Sequence, residues 1–225
     1  MMAHSPDERP SIATRALGIL GIAGGLTLIS AWIPDLPWTW ALFNLRLVLF
    51  NAGAIAIGLA IHWLQAPRSP RLSLAAAASM ILANAVYLVL ILVSLGRPVY
   101  PEPDPDFRLV MFYGGMAMWL TDAAFGLVAL RIGVVWPWAA LALAIGSILA
   151  MLGIDRLELV DGPFAWIFIP LAQIGIFLNG LAWIALGVGL IRERRPPMTN
   201  EAAPGEGSPS AAGARAAEGR AQGAR

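Results

Sequence analysis

Cysteine is absent from this chain. That excludes disulfides, thiolate nucleophiles and sulfur-ligated metals. Lysine is absent too, and all fifteen basic side chains are arginine. With Ala, Gly and Pro abundant, this usage reads as the product of a GC-rich bacterial genome rather than a demand for guanidinium. Charge of either sign is scarce, at 13% of residues, against about 25% in soluble domains. A net charge of +1 gives no reason to expect nucleic acid.

Catalytic signatures are missing as well. Bis-histidine haem ligation needs two membrane histidines, and only His62 is available, because His4 lies in the N-terminal tail. There is no His-Glu-x-x-His for zinc, no Walker A loop and no Gly-x-Ser-x-Gly elbow. An intramembrane aspartyl protease needs paired acids, and Asp122 stands alone within the apolar runs. The expectation is a non-enzymatic protein without metal or cofactor.

What the chain has is apolar sequence, 58% of its 225 residues. Six runs stand out: Thr14 to Ile33, Ala41 to Leu64, Ser73 to Leu95, Leu109 to Ile132, Pro137 to Ile154 and Phe164 to Ile191. A run of about 18 residues or more crosses a hydrocarbon core of about 30 Å at about 1.5 Å per residue. The predicted fold is an all-α bundle of six transmembrane helices over residues 14–192. The first run exceeds the apolar core of a signal peptide, about 7–15 residues, and reads as a span.

Arginine placement sets the orientation. Arg9, Arg15, Arg68, Arg71, Arg131, Arg192, Arg194 and Arg195 fall on one side of such a bundle, against Arg97, Arg108 and Arg156 on the other. Both termini are expected in the cytoplasm of a bacterial cell, the protein lying in the inner membrane. Tryptophan agrees, since indole favours the headgroup level. Trp32, Trp38, Trp40 and Trp166 mark the outer boundary, and Trp63, Trp136 and Trp138 the inner one. Trp119 and Trp183 are deeper and read as packing residues.

Outside the spans, residues 1–13 form an N-terminal tail. The longest external loop, Arg97 to Arg108, alternates Pro101, Pro103 and Pro105 with Glu102, Asp104 and Asp106. That pattern favours extended backbone and matches no metal loop. Residues 193–225, rich in Ala, Gly, Glu, Pro, Ser and Arg, cannot bury a core and are expected to be a disordered cytoplasmic tail.

Helices in lipid associate by close packing and hydrogen bonds. Gly18, Gly21 and Gly25 form one small-residue stripe, and Ala142, Gly146 and Ala150 another. They serve packing within the bundle, with a homo- or hetero-oligomer as the other use. Pro170 removes a backbone bond inside the sixth span and predicts a kink there. Partners beyond the lipid bilayer and such helix faces are not indicated.

Polar residues within the spans are the functional pointers, because they are costly in lipid. Counting residues from the outer ends puts Asp122 about 20 Å deep, Asn51 about 16 Å, and Gln173 and Asn179 about 14 and 22 Å. Asn84 is also near mid-membrane. These five residues from four helices predict an interior polar layer. In the second span, Asn44, Asn51, Gly58 and His62 lie within about 40° of one another, with Arg46 about 200° from Asn44. Arg46 is about 9 Å deep and is expected to snorkel outward or to pair with Asp155 or Glu158, with Asp122 third because that pairing would cross about 10 Å of depth. The layer is either a set of interhelical hydrogen bonds that fixes packing, or a hydrophilic site for a proton, ion or polar solute with Asp122 as its titrating member. His62, beside Trp63, reads as an interfacial histidine.

The layout resembles small six-span bacterial membrane families of unknown function. The resembling segments are Gly126-x4-Arg131-x-Gly133-x3-Pro137, a tight turn between the fourth and fifth spans, and Gly180-Leu-Ala-Trp183 to Gly189-Leu-Ile-Arg192. The resemblance implies a membrane fold and no site residues. The reading that follows is an accessory or structural membrane component; the alternative is a small transporter or proton-coupled permease built around Asp122.

Overall fold

A computed structural model describes residues 11–30, 40–95, 105–159 and 165–192. Among them the chain forms six helices and no strand. They are α1 (Ile12–Ser30), α2 (Trp40–Gln65), α3 (Pro70–Leu95), α4 (Pro105–Ile132), α5 (Pro137–Leu159) and α6 (Ala165–Arg192). Five are long and apolar enough to cross a membrane, and the Pro137–Gly153 stretch of α5 is a shorter apolar helix.

Local chemistry sets the helix starts. Proline is tolerated at a first helical position, where its missing N–H is not needed, and α3, α4 and α5 all begin with one. Ser11 caps α1, its Oγ accepting from the Thr14 backbone N–H at 3.1 Å. Because Pro105 opens α4, Asp106 belongs to its first turn. The expected outer loop therefore ends earlier than Arg108. Residues 96–104, the proposed tail from residue 193, and Trp32 and Trp38 lie outside the described residues.

The helices close into a ring in chain order. Each packs on its sequence neighbours and α1 packs on α6, while α2 also reaches α4 and α6 across the middle. All six belong to one compact unit, residues 9–193. The α1–α6 seam is glycine against glycine. A Cβ on Gly18 would lie 2.8 Å from the Gly187 carbonyl oxygen, and one on Gly180 would lie 2.9 Å from that of Gly25. Backbones this close leave no room for side chains; Gly21, the third member of the predicted stripe, faces Ile57 of α2 instead. The α5 stripe behaves likewise: a Cβ on Gly146 would lie 2.7 Å from the Asn179 backbone nitrogen on α6.

Unlike a soluble domain, the chain carries large apolar side chains over its outside as well as in its core. Leu82, Val89, Leu120, Leu127, Ile174 and Phe177 face outward, whereas Asn51, Asn84, Asp122, Ser147 and Asn179 are fully buried. In water, apolar surface on that scale would drive association; in lipid it is the solvated face. The model thus describes a multi-pass helical protein with the character of a membrane-embedded one. Trp63, Trp136 and Trp138 are exposed while Trp119 and Trp183 are buried, as read from their positions.

The turn between α4 and α5 shows why its glycines stand where they do. Gly126 lets α4 approach α5, where a Cβ would meet the Ala140 carbonyl oxygen at 2.8 Å. Gly133 takes φ of 71°, a left-handed conformation that ends helices and suits glycine. Its N–H donates to Ala129 O at 3.1 Å, and its carbonyl accepts from Arg68 Nη1 at 3.1 Å. Arg68 thereby ties the α2–α3 turn to the α4–α5 turn.

Candidate functional site

The polar layer follows from the antiparallel register of the ring. Asn84 Nδ2 donates to Asp122 Oδ1 at 2.9 Å, joining α3 to α4. Asn179 Nδ2 donates to Ser147 Oγ at 2.7 Å, joining α6 to α5. Gly180, next to Asn179, packs on Gly25, and Gly24 packs on Gly53 of α2, two residues from Asn51. One buried polar residue from each of α2 to α6 therefore lies near a common level, closed by Gly25 of α1.

Asn51 can be placed against α3 by the same reasoning. Gly58 lies against Met80, and His62 bonds Ser73, so this stripe of α2 faces α3. Asn51 is seven residues before Gly58 and shares its face, since seven residues make about two turns. Seven residues beyond Met80 is Tyr87, one turn from Asn84. Asn51 and Asn84 thus occupy facing stripes about 5 Å apart in height.

Both amides are anchored in the same manner. Asn51 Nδ2 donates to Leu47 O at 2.7 Å and Asn84 Nδ2 to Met80 O at 3.0 Å. Each bond runs back one helical turn and directs the NH2 end onto its own helix. The oxygen ends have no hydrogen-bond partner among the described residues: Asn51 Oδ1, Asn84 Oδ1, Asp122 Oδ2 and Asn179 Oδ1 are buried without one, as are Gln65 Nε2 and Trp183 Nε1. Buried polar atoms without partners are uncommon in native proteins.

Gln173 does not join this layer. It is exposed, and the reason is angular: six residues separate it from Asn179, placing it about 120° around the helix. Ser147 takes the place expected of it. The sequence reading did not single out this serine; its place beside Gly146, in the small-residue stripe that meets α6, is the signal that could have found it. Arg46 is buried, and its Nη1 donates to Ser30 O at 3.3 Å. It reaches the last residue of α1, where helix carbonyls lack intrahelical partners. The side chains of Asn44, Asp155 and Glu158 lie outside the described residues.

A second polar group, at the α2–α3 turn, was not anticipated. Ser73 Oγ donates to Gln65 Oε1 at 3.2 Å and lies 2.9 Å from His62 Nδ1. Gln65 and Ser73 are fully buried and His62 is half-buried. His62 is therefore tied into a turn-closing network.

The layer has two bonded halves, Asn84 with Asp122 and Asn179 with Ser147. Phe50, Ile57 and Ile61 of α2 are buried in one cluster with Met118, Trp119 and Phe125 of α4 and Trp183 of α6. The Phe50 and Trp119 rings lie 5.9 Å apart. Among the described residues no group of three His, Cys, Asp or Glu is placed to hold a metal ion. No family model, no curated protein and no solved structure matches the chain.

Proposed function

We propose that the chain is a six-span integral protein of a bacterial cytoplasmic membrane, with both termini inside, acting as a non-enzymatic accessory or structural component. It would thus be of the small six-span kind that its layout resembles. The observation that carries this reading is the filled centre of the ring. Helix α2 contacts α4 and α6 as well as its ring neighbours, and its Phe50 ring lies 5.9 Å from that of Trp119 on α4 within the buried apolar cluster. Interhelical hydrogen bonds and glycine seams then serve assembly, the ordinary use of polar and small residues in lipid.

A second reading, a small permease with Asp122 at its site, is favoured by the unpaired oxygens of the layer. Thiol accessibility separates the two, since the chain has no cysteine of its own. Asn51→Cys and Asp122→Cys are treated in cells with a membrane-impermeant thiol reagent from each side. Folded but unreactive variants support the packed component. Labelling at either position overturns it in favour of an aqueous path.

A further inference from the structure

The unpaired atoms around Asp122 share one chemical character. Asn51 Oδ1, Asn84 Oδ1 and Asp122 Oδ2 are all oxygens without a partner, on residues that are fully buried. They come from three successive helices, two of them on facing stripes and the third bonded to Asn84. Asn51 Nδ2 is turned onto Leu47 O, and Asn84 Nδ2 donates to Met80 O and to the other carboxylate oxygen, Asp122 Oδ1. An amide oxygen only accepts, and an ionised carboxylate only accepts. What three acceptors lack is a donor-only or cationic partner.

We propose that Asn51, Asn84 and Asp122 form an intramembrane site for a small monovalent metal cation. Carboxylate and amide oxygens suit hard cations. The single carboxylate matches one positive charge, whereas a divalent ion would leave net charge in a medium where uncompensated charge is costly. A proton shared between Asp122 Oδ2 and one amide oxygen would satisfy two of the three atoms and leave the other amide bare. A metal cation engages all three. The bound ion ties α2 at mid-bundle to the Asn84–Asp122 link between α3 and α4. The inference holds whether the protein is a structural component or a permease, because it concerns occupancy and not transport.

The test is cation-dependent stability of the purified full-length protein in detergent, followed by tryptophan fluorescence. NaCl, LiCl and KCl are each exchanged against choline chloride at fixed ionic strength and fixed pH. A ligand that binds only the folded state raises the unfolding midpoint by equal steps per tenfold increase above its half-saturating concentration. At least one metal cation is expected to produce that pattern. Asp122→Asn should abolish it, and Ser147→Ala, in the other half of the layer, should retain it. Equal midpoints in all four salts overturn the proposal. So does a midpoint that follows pH but not cation, which would assign the atoms to a proton. So does an undiminished cation effect in Asp122→Asn. Should that variant fail to fold, binding to the unaltered protein of the radioactive form or close analogue of whichever cation raised its midpoint (sodium, or rubidium for potassium, or lithium by displacement of sodium) decides: saturable binding competed by excess of that cation's chloride supports the site, and its absence overturns it.

Discussion

Asn84 and Asp122 meet side chain to side chain across the α3–α4 interface, and the same Asn84 nitrogen also bonds Met80 O one turn back. Anchor and cross-link share one group. The amide is thus positioned by its own helix before it meets the next one.

Replacing Asp122 by Asn should preserve this link, since the new side chain keeps an acceptor oxygen at nearly the same place. Replacing it by Leu deletes the acceptor. Hydrogen bonds between membrane helices average about 0.6 kcal/mol and reach about 1.7. Asp122→Leu should therefore lower stability by about 1 kcal/mol more than Asp122→Asn in unfolding measurements made in choline chloride, where no metal cation contributes. Equal losses would mean that the Asn84 contact carries no weight.

The glycine seams should be far less forgiving. Gly180→Leu places its Cβ against Gly25 O and the Ile29 side chain. Overpacking of this kind costs about 1–3 kcal/mol or more, and here the obstacle is partly backbone. Gly189 has open space where a Cβ would stand. Gly189→Ala should fold normally and gain slightly from better helix propensity. Thermal unfolding of the matched pair checks the difference.

Much of this was legible in the sequence because lipid imposes a simple rule. A helix must be long and apolar to span, so the runs located all six helices to within a few residues at most ends. Proline and glycine then marked the starts and the α4–α5 turn. Depth counting also found the level of Asn51, Asn84, Asp122 and Asn179. It failed for Gln173 because depth says nothing of azimuth, and residues near one level can face lipid or protein. The inward face of α6 could have been recovered from Gly180 and Gly187, the residues that meet α1. The Gln65 and Ser73 pairing was hidden for another reason: it depends on how the α2–α3 turn folds back, which no helical period encodes. The burial of Arg46 depended likewise on the end of α1 lying beside it.

That hidden turn makes its own prediction. Ser73 Oγ links Gln65 and His62, both less exposed than their polarity would suggest. Ser73→Ala leaves Gln65 Oε1 and His62 Nδ1 without this partner, and stranding a buried polar group costs about 1–3 kcal/mol. Gln65→Met instead removes a side chain whose Nε2 is already unpaired and keeps the serine–histidine contact. Ser73→Ala should be the more destabilising of the two in detergent unfolding. The reverse order would show that Gln65, not Ser73, holds the turn.

Gly133 separates steric room from backbone conformation. Nothing lies within 4 Å of where its Cβ would be, yet its φ is 71°. An L-residue pays about 1–2 kcal/mol for that left-handed state, and Asn pays less because its side chain bonds locally. Gly133→Ala should therefore lower the unfolding midpoint although no contact is strained, and Gly133→Asn should recover most of the loss. Arg68→Gln adds a second arm, since Arg68 Nη1 holds the Gly133 carbonyl. If the guanidinium stabilises the left-handed turn, the combined Arg68→Gln and Gly133→Ala variant should lose less than the sum of the two single changes, as neighbouring sites couple. Strict additivity would mean that Arg68 and the turn act independently, and that the contact between the two turns is incidental to the fold.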